Sequence, residues 1–193
     1  PVAESFRDLD PRLDLREADL EAGQEWTGWH QIEKQLWPPA DFTEIDTPEE
    51  RAKMADQLVA DTQDLATRVE SVTFKADQLG NGAKELLDEV ATGKVTGEEE
   101  FWSHTDLWDF QANVDGARLA YQALRPIVLI KDKDLAATLD EEFASLQTEL
   151  DKYKTADGFQ YYTQLTPEQV KELSDSVNAL GEPLSQLTAV VVL

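Results

Sequence analysis

One short stretch of the chain, EWTGWHQIEKQLWPP at residues 25–39, holds the residues whose types and spacing are best suited to chemistry. It contains His30, one of only two histidines, and Glu33 three positions later. Residues three apart lie on one face of a helix, and a Glu and a His spaced in this way can ligate a metal inside a helical bundle. Imidazole and carboxylate ligands suit iron, zinc, manganese or copper, and the spacing does not choose among these metals.

Three tryptophans accompany this pair. At about 100 degrees of rotation per residue, His30 and Glu33 fall within the arc marked by Trp26 and Trp37. Both side chains are therefore expected to point inward, behind a wall of tryptophan that excludes water. A buried carboxylate needs a partner, because removing its charge from water is costly. A hydrogen-bonded Glu–His pair without a metal also satisfies the pattern, so the residues alone leave both alternatives open.

Other acidic side chains could complete such a site. The segment SHTDLWDFQANVDGA at residues 103–117 holds the second histidine, His104. Its carboxylates are those of Asp106, Asp109 and Asp115, of which the first two are also explained by the dipole at the start of a helix. Upstream, Glu17 and Asp19 could fold back over His30, and an exposed acidic turn explains them equally well.

The overall charge of the chain favours cations as ligands. There are 40 Asp and Glu against 17 Lys and Arg, a formal net charge of -23, which repels nucleic acids and anionic membrane surfaces. Most of these carboxylates are expected simply to coat solvated helix faces. Cysteine is absent, which excludes disulfides and thiolate metal sites. No apolar run is long enough to insert into a membrane.

Capping signals and apolar periodicity predict helices along most of the chain. Thr47 and Glu50 form a capping box with Pro48 at the first helical position, and Thr166, Pro167 and Gln169 repeat the device. From the first start, apolar residues at three- and four-residue spacing predict a helix of about 25 residues. They are Ala52, Ala55, Leu58, Val59, Leu65, Ala66, Val69 and Val72.

Further helices are expected after this one. One covers roughly residues 77–91 and ends by Gly93, and Thr96 with Glu99 marks another start. A stripe from Leu107 to Leu124 stops at Pro126, and Asp132 caps a helix through about Lys154. The last helix begins at Pro167 and breaks near Gly181 and Pro183. The pattern predicts an all-α antiparallel helical bundle, formed as a single domain over residues 1–193.

The chain resembles the imelysin-type domain of the EfeO and EfeM family of bacterial iron-uptake systems. The phrases that carry the resemblance are PVAESFRDLDP, EWTGWHQIEKQLW, GAKELLDEVATGKVTGEEEFWSHTDLWDFQANVDGA and LTPEQVKELSDSVNALGEPLS. The resemblance implies a metal site at the H-x-x-E motif, His30 and Glu33. It also implies an acidic ligand upstream, which maps to Glu17, and carboxylates from later helices, for which Asp115 and Asp46 are the candidates.

The same resemblance implies a non-catalytic protein that captures iron, with zinc or copper as the other metals, outside the cytoplasmic membrane. Its implied partners are a membrane iron permease and a haem peroxidase of the same system, and its implied location is periplasmic or extracellular, with a lipid anchor in the full-length precursor. Helices precede PVAESF in the family, so the domain is expected to be truncated at its N-terminus. A metallopeptidase, a module that binds acidic polysaccharide through bridging cations, and a purely structural helical module are the alternatives.

Overall fold

The computed structural model describes residues 6–94 and 96–193, and these are mainly helical. The α-helices are α1 (Asp10–Leu13), α2 (Trp29–Leu36), α3 (Pro48–Glu70), α4 (Ala76–Glu89), α5 (Asp106–Lys131), α6 (Lys133–Asp151), α7 (Pro167–Leu184) and α8 (Leu187–Val192). Two short 3-10 helices (Glu17–Asp19 and Tyr162–Gln164), a π-helical turn (Val90–Lys94) and two strands, β1 (Lys154–Thr155) and β2 (Gly158–Phe159), complete the regular structure of the described residues. The all-α prediction is confirmed. The single domain and its N-terminal truncation stay predictions.

The chain divides into two compact units, Pro1–Thr73 and Phe74–Leu193. In the first unit, α1 and α2 both pack on α3. The buried apolar residues of this unit are Leu9, Leu13 and Leu58. Helix α3 begins with the predicted capping box, in which the Glu50 amide donates to the Thr47 hydroxyl at 3.3 Å and the Thr47 amide donates to the Glu50 carboxylate at 2.8 Å. This reciprocal pairing satisfies two amides that the helix leaves unpaired at its start.

The face of α3 that is buried is narrower than the sequence predicts. Leu58 and Asp61 are buried and Leu65 is half-buried, and these positions share one face at three- and four-residue spacing. Five members of the predicted stripe are exposed, namely Ala52, Ala55, Val59, Ala66 and Val69. The predicted helix is present, but these five residues do not lie on its buried face. That face also carries Asp61, which forms an ion pair with Arg12.

The second unit is a ring of four helices. Each of α4, α5, α6 and α7 packs against two neighbours, and α8 packs on α4 and α5. The predicted apolar stripe of α5 is confirmed, since every one of its residues is buried. They are Leu107, Phe110, Val114, Ala117, Tyr121 and Leu124. The stripe supplies much of the core on which the other helices of the unit pack.

Two predicted helix boundaries in this unit are wrong. Thr96 and Glu99 start no helix; the Thr96 hydroxyl instead donates to the Gly93 carbonyl at 2.6 Å, and α5 begins at Asp106. Pro126 does not end α5, which continues to Lys131. Pro126 lies on the exposed face, where water can solvate the carbonyl that a proline leaves unpaired. The buried face continues past it to Val128, which favours the helix.

The C-terminal part of the chain also differs in detail. Helix α7 runs through Gly181 and Pro183 to Leu184, so the predicted break falls slightly later, before α8 begins at Leu187. The Asp132 cap is confirmed, because its carboxylate accepts the Leu135 amide at 2.9 Å, although α6 ends at Asp151. The antiparallel pair of β1 and β2 was not predicted, because strands of two residues carry no readable periodicity.

A matched pair of leucine substitutions tests the second unit's core. Leu139 on α6 is fully buried, whereas Leu119 on α5 is two-thirds exposed. We expect Leu139→Ala to lower the free energy of unfolding by about 2–5 kcal/mol, because it removes buried apolar surface and leaves a cavity. Leu119→Ala should change it by less than about 0.5 kcal/mol. Urea unfolding followed by circular dichroism measures both, and equal losses would contradict this assignment of the core.

Candidate metal site

The first two turns of α2 carry both predicted ligands on their buried face. His30 is 4% exposed and Glu33 is 5% exposed, so the prediction that both point inward is confirmed. Gly28 precedes the helix with φ of 96°, a left-handed conformation that glycine adopts without strain. The Gly28 carbonyl accepts the Ile32 amide at 3.3 Å. This turn therefore fixes the direction in which the His30 side chain projects from the backbone.

The segment that leads into α2 runs alongside the end of α1. The Trp26 indole donates to the Leu15 carbonyl at 2.7 Å, and the Thr27 hydroxyl donates to the Arg12 carbonyl at 3.0 Å. Between them, Gly28 lies so close to Leu13 that a Cβ atom on Gly28 would be 2.2 Å from the Leu13 carbonyl oxygen. Only glycine fits at this position. These three contacts bring the residue after Leu13, which is Asp14, beside His30.

The His30 imidazole lies between two carboxylates. Its Nε2 is 3.0 Å from Asp14 Oδ1, and its Nδ1 is 3.6 Å from Glu33 Oε2. The two carboxylates differ in environment, since the Asp14 side chain is 59% exposed and the Glu33 side chain is buried. One side of the imidazole is therefore open to water through Asp14, and the other is enclosed.

This arrangement favours positive charge on the imidazole. Burial disfavours the charged ring, but hydrogen bonding with Asp14 and then with Glu33 outweighs burial and raises the pKa of His30 to about 9. The nearby Arg16 opposes the increase. The imidazole thus holds a proton at neutral pH, and the exposed Asp14 and buried Glu33 carboxylates create a local negative potential around it.

The same three groups can serve as metal ligands. Metal bonds to imidazole nitrogen and carboxylate oxygen are about 2.0–2.2 Å long, so neighbouring ligands on one ion lie about 3.0–3.6 Å apart. Both separations at His30 fall in this range. A carboxylate that accepts a hydrogen bond from the second ring nitrogen also orients a metal-bound imidazole and strengthens it as a ligand. The geometry therefore fits a cation on either nitrogen, with the opposite carboxylate as the orienting group.

Asp14 lies against His30 and is a candidate site residue that the sequence analysis did not include. It follows the motif DPRL, in which Pro11 stands in the first turn of the short helix α1. The Asp14 amide closes this helix by donating to the Asp10 carbonyl at 2.9 Å. The position of Pro11 could have marked a helix that ends just before Asp14. The pairing of that helix end with residues 26–28 has no local signal in the sequence.

Glu17, the predicted upstream ligand, lies in a 3-10 helix and forms an ion pair with Lys34 on α2. The Lys34 ammonium also lies 4.8 Å from the centre of the Phe42 ring and 5.7 Å from that of Trp26. Such cation–π contacts are favourable when the ammonium is partly shielded from water. The structure thus gives Glu17 a cationic partner, and its role as a metal ligand stays a prediction.

The predicted tryptophan wall is wrong. Trp29 and Trp37 are exposed, and Trp26 precedes α2 instead of lying on it, so the helical arc that placed them around His30 does not exist. Helix α2 is only eight residues long, beginning at Trp29 and ending at Leu36. A wheel drawn over the longer stretch therefore assigned a common face to residues outside the helix. Trp26 instead contributes the indole hydrogen bond to Leu15.

Asp46 is linked to α2 through its backbone. Gln35 is buried, and its side chain donates to the Glu44 carbonyl at 3.0 Å and accepts the Asp46 amide at 2.9 Å. Among the residues that the structure describes, the Asp46 carboxylate forms no hydrogen bond or ion pair. Asp46 thus stays a predicted ligand.

The remaining candidates belong to the second unit. Asp115 on α5 is exposed and accepts a hydrogen bond from Gln111 at 3.0 Å, and its place among the ligands stays a prediction.

His104 has a left-handed backbone with φ of 59°. Asp106 is fully buried, accepts the amides of Glu99 and Glu100 at 3.1 and 3.3 Å, and has its pKa raised by burial. Asp106 therefore holds the preceding loop against the start of α5.

Comparison with known proteins places the chain in a family. A family model described as Peptidase_M75, Imelysin matches residues 3–187. The chain belongs to the imelysin family. Two relatives are named Efem/EfeO family lipoprotein. One, from Staphylococcus haemolyticus strain JCSC1435, is 45% identical over 193 residues, and the other, from Staphylococcus aureus strain NCTC 8325, is 40% identical over 194.

This imelysin chain spans 66% of the length of each of these relatives, while 98% of it is matched. The relatives are named lipoproteins. Within residues 6–94 and 96–193, no helix combines the length and the apolar character needed to cross a bilayer. The recognition of an EfeO/EfeM-type imelysin sequence from its motifs is thus confirmed.

Two glycines give a matched test of the backbone contact that positions Asp14. Gly23 and Gly28 both have positive φ, but a Cβ atom on Gly23 would meet nothing within 4 Å. Gly23→Ala should cost about 1 kcal/mol of unfolding free energy from backbone strain alone. Gly28→Ala should cost several times more, because its Cβ would overlap the Leu13 carbonyl. Chemical unfolding of both variants measures this difference, and similar losses would refute the proposed constraint.

The raised pKa of His30 predicts a specific pH dependence in chelator-treated protein. A group whose pKa rises on folding stabilises the fold while it is protonated. This stabilisation should be complete below pH 6.5 and disappear as the pH rises through about 9. Imidazole NMR of a variant with His104→Asn should show His30 titrating near pH 9. Asn is chosen because it tolerates a left-handed backbone.

Adding Asp14→Asn to the His104→Asn variant should lower the His30 pKa, because it removes the carboxylate beside His30 Nε2. Asp19→Asn is the matched control, since it removes the same charge from an exposed position nearby. A His30 pKa that responds equally to both substitutions would show that general charge, and not the Asp14 contact, sets its value.

Proposed function

We propose that this chain is the metal-capturing part of an extracytoplasmic protein that binds iron and delivers it to a membrane permease. The observation that carries the proposal is the buried imidazole of His30 between Asp14 and Glu33. A buried imidazole with a carboxylate at each nitrogen offers both a ligand set and an orienting group for a cation. Iron is the substrate that the EfeO/EfeM resemblance implies, and zinc and copper suit the same ligands.

The charge of the chain supports a cation as the substrate. A net charge of -23 raises the concentration of cations near the surface and steers them toward a negative site. The Asp14 side chain is exposed, so an arriving ion meets a carboxylate at the surface before it reaches the buried imidazole. Glu33, on the enclosed side, would then provide the less hydrated carboxylate.

The family context supplies the rest of the proposal. The relatives are named lipoproteins, which supports a location outside the cytoplasmic membrane with a lipid anchor in the full-length protein. A membrane iron permease and a haem peroxidase are the partners that the resemblance implies. This chain contains no H-E-x-x-H peptidase motif, because its two histidines are at positions 30 and 104 and that motif needs two four residues apart.

Calorimetric titration with ferrous iron under anaerobic conditions, and with zinc, tests the site. His30→Ala and Glu33→Gln should each weaken binding by more than about tenfold, because each removes a ligand. Asp14→Asn should weaken it by about 10- to 100-fold, the effect of losing a group that orients a metal-bound histidine. Circular dichroism of each variant verifies that the fold is retained.

Two control variants make the comparison specific. His104→Asn removes the other imidazole, and Glu70→Gln removes an exposed glutamate at the end of α3. Both should bind metal as the wild type does. If His30→Ala and Glu33→Gln also bind with wild-type affinity, the ion is held elsewhere and the assignment of this site is wrong.

A further inference from the structure

A polar cleft lies between α5 and α6, wholly within the second unit. Its volume is about 410 Å³, within the range of pockets that hold small organic ligands. Its floor is aromatic, because Tyr121 and Phe143 are both buried and stack with ring centres 5.6 Å apart. Two arginines from α5, Arg118 and Arg125, line its walls.

The two arginines differ in how far their charge is already neutralised. Arg125 forms a two-pronged ion pair with Asp140 through its Nε and Nη2 atoms. Asp140 also accepts the Tyr121 hydroxyl at 2.9 Å. Arg125, Asp140 and Tyr121 thus form a closed, neutral network that gives one wall of the cleft a fixed shape.

Arg118 keeps most of its hydrogen-bonding capacity. Its Nη2 donates to Gln147 Oε1 at 2.7 Å, which is a neutral acceptor. Its Nη1 is 4.0 Å from Asp115 Oδ1, too far for a hydrogen bond. Within the described residues, the Arg118 Nε is buried without a hydrogen-bond partner. Of five N–H groups on this guanidinium, one therefore has an acceptor in the described structure.

Arg118 is a partly buried guanidinium without a carboxylate at hydrogen-bonding distance. The Arg118 side chain is 28% exposed, and its guanidinium carbon lies 5.8 Å from the centre of the Phe143 ring. Partly buried charges are normally matched by an opposite charge, because they have lost much of their hydration. Asp115, at 4.0 Å, is itself exposed and hydrogen-bonded to Gln111. The cleft therefore presents one positive charge that its own residues do not fully satisfy.

We propose that this cleft binds a small organic monocarboxylate with an apolar body. The planar carboxylate would accept hydrogen bonds from the Nη1 and Nη2 N–H groups of Arg118 that have no acceptor in the described structure. The apolar body would lie along Ala144 on α6, above the buried Phe143 ring at the floor of the cleft. A ligand with one negative charge would give Arg118 a closer anionic partner than Asp115, which lies 4.0 Å away. The cleft lies beside Asp115, but the proposed contact does not use the Asp115 carboxylate and does not depend on the proposed function.

Benzoate is the probe, titrated into the full chain and followed by amide NMR. It should cause saturable shifts centred on Arg118, Ala144 and Thr148, which line the cleft. Arg118→Gln should weaken benzoate binding by at least about tenfold, because it removes the charge-assisted pair. Lys171→Gln, which removes one exposed positive charge from α7 in the same unit, should leave it unchanged.

A second variant keeps the proposal testable if Arg118→Gln fails to fold. Ala144 lies on the exposed face of α6, so Ala144→Leu preserves helix propensity and fills the cleft without altering any charge. It should also weaken benzoate binding by at least about tenfold if the ligand occupies this space. Undiminished binding in Ala144→Leu would overturn the location.

Two further ligands test the chemical class. Benzamide has nearly the shape of benzoate without its charge, and it should not bind measurably. Inorganic phosphate should bind more weakly than benzoate, because it lacks the apolar body. The proposal is overturned if wild-type protein shows no saturable benzoate binding, if Arg118→Gln binds benzoate normally, or if benzamide or phosphate binds as tightly.

Discussion

The close approach of two backbone segments, at Gly28 and Leu13, is the constraint on which the candidate metal site depends. Residues 26–28 lie against the end of α1 through two hydrogen bonds and one contact that leaves no room for a side chain. That contact decides which acidic residue meets His30. Because Asp14 follows Leu13 directly, the position of its carboxylate is set by main-chain geometry and not by a flexible surface turn. The buried imidazole thereby gains a partner from a separate segment 16 residues earlier in the chain.

The electrostatics of the site follow from this arrangement. Burial alone would keep His30 neutral, whereas carboxylates at both ring nitrogens reverse that preference. The two carboxylates have unequal roles because Asp14 is exposed and Glu33 is enclosed. Lys34 and Glu17 form a separate ion pair nearby. The local pairing of charges therefore gives His30 a different environment from most of the acidic surface, where carboxylates are solvated or bound by lysine and arginine.

Much of the fold could be predicted from the sequence because its helices carry local signals. The capping box at Thr47 and the apolar face of α5 depend on spacing within one helix, and both are present. Pro126 misled the prediction because a proline ends a helix only where the lost hydrogen bond cannot be replaced, and here it faces solvent. The inward direction of His30 and Glu33 was predicted correctly, although the tryptophan arc from which it was inferred does not exist. Asp14 was not, because its place beside His30 depends on pairing between segments, which periodicity does not encode.

The two units differ greatly in the size of their buried apolar cores, and this difference has a consequence for local stability. Three leucines form the buried core that the structure describes in the first unit, whereas the core of the second draws on all its α-helices. Local opening requires less free energy where fewer apolar contacts are broken. Backbone amides around His30 should thus exchange their hydrogens with water sooner than those of α5 and α6. Any ligand that binds only the closed form of the first unit would slow this exchange. Occupation of the site would then stabilise the folded form of the unit that carries it.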